Sequence, residues 1–159
     1  FIFDCDKDYH HGMTLCLGSL CSSYKNDAKN VIEKFKERVN FLHLRNIQKN
    51  NDELFKGTFI ESDHLDGDID MGYIIEQFMF NNKKFCLPFR PDHGLLIMNE
   101  HALYDVKPGY SLFGRMRGLS QLLGIIYSLN KSNNGSSPND SSLLRKKIMN
   151  QKKRYANIL

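Results

Sequence analysis

The stretch CLPFRPDHGLLIM, residues 86–98, decides how the chain is read. An apolar run of strand length ends in Arg90, Asp92 and His93, and Gly94 follows at once. Either this is an ordinary strand entering a polar turn, or the strand delivers charged groups to a site. Side chains alternate along a strand, so Arg90 and Asp92 share a face. Two earlier apolar runs repeat the theme. GMTLCLGSL (residues 12–20) puts Thr14 and Cys16 on one face, and VNFLHLRNI (residues 39–47) puts His43 and Arg45 on one face.

Helical periodicity follows each run. NDAKNVIEKFKERV places Ala28, Val31, Ile32, Phe35 and Val39 on one helical side, with Asn26 or Asp27 as N-cap. After a polar loop through residues 48–68, DIDMGYIIEQFMFNN predicts a short helix with Ile74, Ile75, Phe78 and Met79 facing inward, capped by Asp68 or Asp70. GYSLFGRMRGLSQLLGIIYSLN predicts the longest helix, with Leu112, Met116, Leu119, Leu123 and Ile126 inward at helical spacing. Strand–helix alternation implies parallel strands joined by crossover helices. Nearly continuous apolar runs suit strands covered on both faces. The expected class is α/β, as a segment of a (β/α) barrel or an open doubly wound sheet. KSNNGSSPNDSS then reads as a flexible linker, and RKKIMNQKKR as a basic tail. The expected organisation is a folded part over residues 1–130 and a polar linker with tail over 131–159.

Composition narrows the class. The 159 residues are 41% hydrophobic and 25% charged, ordinary for one globular domain. No apolar run approaches the ~20 residues of a membrane span, and the start shows no signal-peptide pattern. Because residue 1 is Phe, the chain reads as processed or as a piece of something longer. The net charge of +4 is concentrated in the tail, and the rest is close to neutral. A solvated terminus explains such a tail, so neither nucleic acid nor membrane is an expected partner. Cys5, Cys16, Cys21 and Cys86 read as reduced thiols of a cytoplasmic protein. CDKDYHHGMTLCLGSLC gathers three cysteines and two histidines but lacks the close cysteine pairs of a structural zinc site. DGDIDMG is no calcium loop, since Met71 stands for the required Gly and Gln77 for the required Glu. GYSLFG lacks the Lys-Ser/Thr ending of a phosphate loop.

Every strand therefore carries polar groups near its carboxyl end, where α/β folds build their sites. Thiol, imidazole and carboxylate together suit a divalent transition metal, with Cys favouring Zn²⁺ or Fe²⁺ and Asp tolerating Mn²⁺. Arg45 and Arg90 suit an anionic substrate, because a guanidinium grips a carboxylate through two hydrogen bonds. Each residue also has a plainer explanation. Cys16 and His43 could be core residues, Arg90 and Asp92 an ion pair, and His64 a loop holder. Spacing by itself leaves the two readings balanced.

Five blocks tip the balance: GMTLCLGSL, FLHLRNI, ESDHLDGDIDM, LPFRPDHG and PGYSLFGRMRGLSQLLGI. Their order resembles that of the mannonate dehydratases, lyases on a TIM-type barrel similar to xylose isomerase. The resemblance runs over about residues 12–129. It implies the last three units of a (β/α)8 barrel, a fragment inactive alone. It implies dehydration of D-mannonate to 2-keto-3-deoxy-D-gluconate in hexuronate catabolism, with Mn²⁺ or Fe²⁺. By the same resemblance Cys16, His43 and Asp92 are metal ligands, with a further histidine from an earlier strand outside this chain. Tyr110 of the PGY block and His93 become the acid–base candidates, in either order. Arg45, Arg90 and His64 are expected at the substrate. Cys21 and Ile60 depart from the family pattern, which commonly has Gly and His there. Two alternatives stay open: another metal-dependent sugar isomerase or epimerase on the same barrel, and a non-catalytic remnant with a basic interaction tail. A homo-oligomer is an open expectation for a full-length protein.

Overall fold

The computed structural model describes residues 2–8, 10–79 and 87–133. In chain order its elements are α1 (Ile2–Cys5), β1 (Met13–Cys16), α2 (Leu17–Cys21), α3 (Ala28–Phe35), β2 (Val39–His43), β3 (Ile47–Lys49), β4 (Phe59–Glu61), α4 (Met71–Met79), β5 (Phe89–Arg90) and α5 (Leu112–Asn133). Short 3₁₀ turns sit at Lys36–Arg38, Glu53–Phe55 and Glu100–Ala102. The arrangement is mixed α/β. One sheet is parallel, in the order β1-β2-β5, and β3 pairs antiparallel with β4 in a second. Packing divides the chain into residues 1–126 and 127–159. The described part of the second unit is the end of α5, where Lys131 lies over the Tyr127 ring. Among the described residues no helix is long and apolar enough to cross a membrane. The expected linker and tail lie outside the described residues from 134 onward.

The first apolar run divides. Residues 13–16 are strand, and Leu17 already begins α2. Leu15, in the strand, and Leu17, at the start of the helix, are both fully buried. Asp27 caps α3, its side chain accepting from the Asn30 N–H at 3.0 Å, as Asp residues favour at this position. The predicted helical face is shorter than expected. The helix stops at Phe35, a 3₁₀ turn follows, and Val39 opens β2 as a buried strand residue. β-branched Val fits a half-covered pleat better than a helix end. The α4 stripe is Met71, Ile74, Ile75 and Phe78, all buried, with Asp70 accepting from the Tyr73 N–H. Met79 is 44% exposed, because it falls at the edge of that stripe.

The polar loop expected after β2 contains the β3–β4 hairpin. Ile47 pairs with Glu61, Gln48 with Ile60 and Lys49 with Phe59. Asn46, 1% exposed, ties it down: its amide donates to the carbonyls of His64 and Ile69 and accepts from the N–H of Ile47 and Ile69. The larger correction concerns α5. The predicted inward residues Leu112, Met116, Leu119 and Leu123 are exposed, while Leu122 is fully buried beside the buried Gly114 and Gly118. The helix packs on its smallest face. A Cβ at 114 would stand 2.0 Å from the Leu95 carbonyl oxygen, and one at 118 would stand 2.3 Å from the His64 ring. Leucine periodicity was a poorer guide here than the glycine spacing, since close backbone approach excludes side chains.

Glu100 caps α5 from a distance. Fully buried, it accepts from the N–H groups of Leu112 (2.6 Å) and Phe113 (3.3 Å) and from the hydroxyls of Ser111 and Tyr104. Burial pushes its carboxyl up, but the hydrogen bonds from Ser111, Leu112 and Phe113 outweigh it, and the net shift is downward. A carboxyl with a lowered folded pKa stabilises above its unfolded value, about 4.3, and that contribution fades as pH falls through the lower folded value. Glu100→Gln is therefore expected to lower the thermal midpoint at neutral pH. The gap from wild type should shrink below about pH 4, as followed by circular dichroism melts across pH. A gap independent of pH would remove the ionised carboxylate from the cap.

Candidate active site

The parallel register aligns three strand ends. Cys16 is the Cα partner of His43, and His43 is the partner of Arg90. All three are the last residues of their strands. Asp92 follows two residues after β5, with φ at 67°. That left-handed conformation is costly for most residues but open to Asp. Its carboxylate meets the other two groups. Oδ2 lies 3.6 Å from the Cys16 Sγ, and Oδ1 lies 3.5 Å from the His43 Nδ1. One donor atom from each of Cys16, His43 and Asp92 falls within 4.8 Å of the others, and all three residues are partly buried. Two ligands on one tetrahedral ion with bonds of 2.0–2.3 Å stand roughly 3.5 Å apart, so this donor set can hold a divalent metal.

The surroundings balance charge. Arg90 Nη2 stands 2.9 Å from Asp92 Oδ1, with its side chain 54% exposed. Arg45 is turned to Glu61, with Nε 3.0 Å from Oε2 and Nη2 donating to Oε1. Burial opposes the Arg45 charge, yet the Glu61 hydrogen bond and charge prevail and its pKa rises. His93 Nδ1 lies 3.0 Å from Glu61 Oε1, and its Nε2 lies 4.0 Å from Asp92 Oδ2. The rings of His93 and Tyr110 are 5.0 Å apart and tilted by 50°. Tyr110 is 53% exposed at one side of a groove that Arg90, Asp92, Leu112 and Met116 also line. His64 has a different setting. It is buried, its Nε2 lies 3.0 Å from the Pro91 carbonyl, and Gly118 presses against its ring.

The sequence brought Cys16, His43, Arg90, Asp92, His93 and Tyr110 to one place, and the coordinates gather them there. It missed Glu61 and Ser19. Ser19 Oγ sits 3.0 Å from Cys16 Sγ and 3.4 Å from Arg45 Nη1. Ser19 and Cys16 are one helical turn apart, a signal legible only once α2 is known to begin at Leu17. Glu61 becomes legible only with the hairpin register that seats it beside Ile47.

Comparison with known proteins decides the lineage. The profile of the D-mannonate dehydratase (UxuA) family matches residues 2–136. The chain belongs to this family. A mannonate dehydratase of Saccharophagus degradans is 41% identical over 127 residues, covering 75% of this chain and 31% of that protein. Mannonate dehydratase 2 of Agrobacterium fabrum is 38% identical over 129 residues, covering 77% of this chain and 31% of its own. The Chromohalobacter salexigens mannonate dehydratase is 37% identical over 131 residues, with 79% and 32% covered. This family member thus spans about a third of the length of the curated relatives it matches.

Burial pushes the His43 ring below its ordinary pKa. Asp92 pulls it up, while Arg90 and His93 push it further down. The neutral ring that results is the form that binds metals. In the metal-free chain, Asp92→Asn removes the upward pull, so His43 is expected to titrate at still lower pH by imidazole NMR. An unchanged His43 titration would show that carboxylate and ring are not coupled.

Proposed function

We propose that this chain forms the last three β/α units of a (β/α)8 barrel that dehydrates D-mannonate to 2-keto-3-deoxy-D-gluconate. The observation that carries this reading is the convergence of Cys16, His43 and Asp92 at neighbouring parallel strand ends, in a chain of the D-mannonate dehydratase family. Thiolate, neutral imidazole and carboxylate fit a divalent ion, and Mn²⁺ or Fe²⁺ is the assigned metal. When bound, the metal supplies Lewis-acid polarisation of the sugar acid's carboxylate and C2 oxygen.

The protein groups do the rest. The reaction removes the C2 proton, expels the C3 hydroxyl as water, and leaves an enol that becomes the 2-keto group. One proton must be taken and one given, and the adjacent His93 and Tyr110 supply that pair. Arg90, half exposed beside the groove, is assigned to the substrate carboxylate, where a planar fork suits a two-oxygen partner. Arg45 and His64 are assigned supporting roles: Arg45 is committed to Glu61 and His64 to the Pro91 carbonyl. The substrate carries one net negative charge, and the guanidinium offsets the cost of desolvating it and stabilises the enolate charge as it grows.

A substrate panel on the family-length polypeptide carrying these residues tests the reading. D-Mannonate should give a 2-keto-3-deoxy acid with loss of one water. A product isomeric with the substrate would instead mark a sugar isomerase or epimerase, and no product with any sugar acid would mark a non-catalytic remnant. The metal assignment is tested on the chain as it stands. Added Co²⁺ should produce a thiolate-to-metal absorption band. Cys16→Ser should abolish that band and weaken binding by at least about tenfold. An undiminished band in the variant would take Cys16 out of the metal site.

A further inference from the structure

One more side chain links the groups of this site. Glu61 ends β4, and its carboxylate faces two partners. Arg45 grips both oxygens, and His93 Nδ1 lies 3.0 Å from Oε1. We propose that Glu61 is a positioning residue that fixes the His93 ring with its proton on Nδ1 and its Nε2 lone pair turned toward Asp92 and the substrate side. The proposal rests on reading His93 as an acid–base group of the dehydratase site, and it concerns the placement of one proton.

Three observations carry it. First, the His93 Nδ1 is sealed from solvent and has no aligned hydrogen-bond partner elsewhere. A polar ring atom in that position needs a protein partner, and the Glu61 oxygen is within reach. The approach is off the N–H line, and turning the ring toward Glu61 would complete the bond. Second, the seal has an identifiable cause. Gly109, at φ 79°, lies over the ring, and a Cβ there would stand 3.0 Å from Nδ1. The Gly94 N–H donates to the Gly109 carbonyl at 2.9 Å, which fixes this backbone against His93. Third, the two carboxylates compete unequally. Glu61 is 3.0 Å from Nδ1, whereas Asp92 is 4.0 Å from Nε2 and outside hydrogen-bond range. An imidazole in water favours its proton on Nε2, so the site reverses the ordinary preference. Arg45 holds Glu61 in orientation, because a two-point guanidinium contact is both strong and directional. The outcome is a ring whose exposed edge accepts a proton, with Tyr110 packed beside it.

The test is imidazole ¹⁵N NMR on the metal-free, ¹⁵N-labelled chain at about pH 9, where an ordinary histidine is neutral. His93 is identified by the signals lost in His93→Gln. Wild type should show the proton on Nδ1. In Glu61→Gln, which keeps the shape but not the charge, most of the His93 population should carry it on Nε2 with the backbone spectrum preserved. A purely structural role for Glu61 would leave the tautomer unmoved, and that result overturns the proposal. If the variant does not fold, the wild-type spectrum still decides, since a proton on Nε2 there overturns the assignment. The measurement needs neither metal nor D-mannonate. A chain that never turns over a sugar acid can pass it, and a working dehydratase can fail it.

Discussion

Parallel register across β1, β2 and β5 is the constraint from which the site follows. Hydrogen bonding between neighbours sets Cys16 beside His43 and His43 beside Arg90. Strand side chains alternate, so a slip of one residue in either pairing would turn a thiol or an imidazole to the far side of the sheet. Burial enforces the pairing. Leu15, Val39 and Leu42 are buried, and the same slip would turn each to the opposite face, away from the neighbours it packs against. Apolar burial therefore fixes polar chemistry. Asp92 comes from beyond the strand, and its left-handed backbone ends the strand where its carboxylate meets its neighbours.

Around that row, each carboxylate has its own guanidinium. Asp92 faces Arg90 and Glu61 faces Arg45. Unpaired, these partly buried anions would repel an anionic substrate. Pairing lowers the local field and leaves direction behind. Arg90 is the more open of the two cations, and Arg45 is the more enclosed. The same residue type thus does different work according to exposure, a distinction that composition cannot convey.

How much of this was legible in the residues varies by element. Period-two alternation was enough to place Cys16 and His43 at their strand ends, because that periodicity is short and local, but Asp92 lies past β5 in a left-handed turn where alternation no longer applies. Asp27 and Asp70 were legible as caps because the residue types suited to the helix starts stand next to them. The β3–β4 hairpin was not legible: three-residue strands are too short for alternation to emerge from QKNNDELFKGTFIE. With it went Glu61, whose value depends on a partner sixteen residues away. Glu100 was hidden for the same reason, capping a helix that begins twelve residues later. The face of α5 was misread because its leucines and isoleucines are spread around the helix instead of gathered on one side. Tight contact at Gly114 and Gly118, and not the larger leucine surface, selected the buried side.

That contact reaches further than helix packing. Gly118 touches the His64 ring, His64 holds the Pro91 carbonyl, and Pro91 precedes Asp92. Helix α5 contributes no donor to the cluster of thiol, imidazole and carboxylate, yet it works on that cluster like the set-screw of an optical mount. One methyl group added at residue 118 would be transmitted through a rigid ring and a peptide plane to the carboxylate itself. Mutational drift on the back of this helix is therefore coupled to the chemistry at the front, and residues that never touch a ligand share in tuning it.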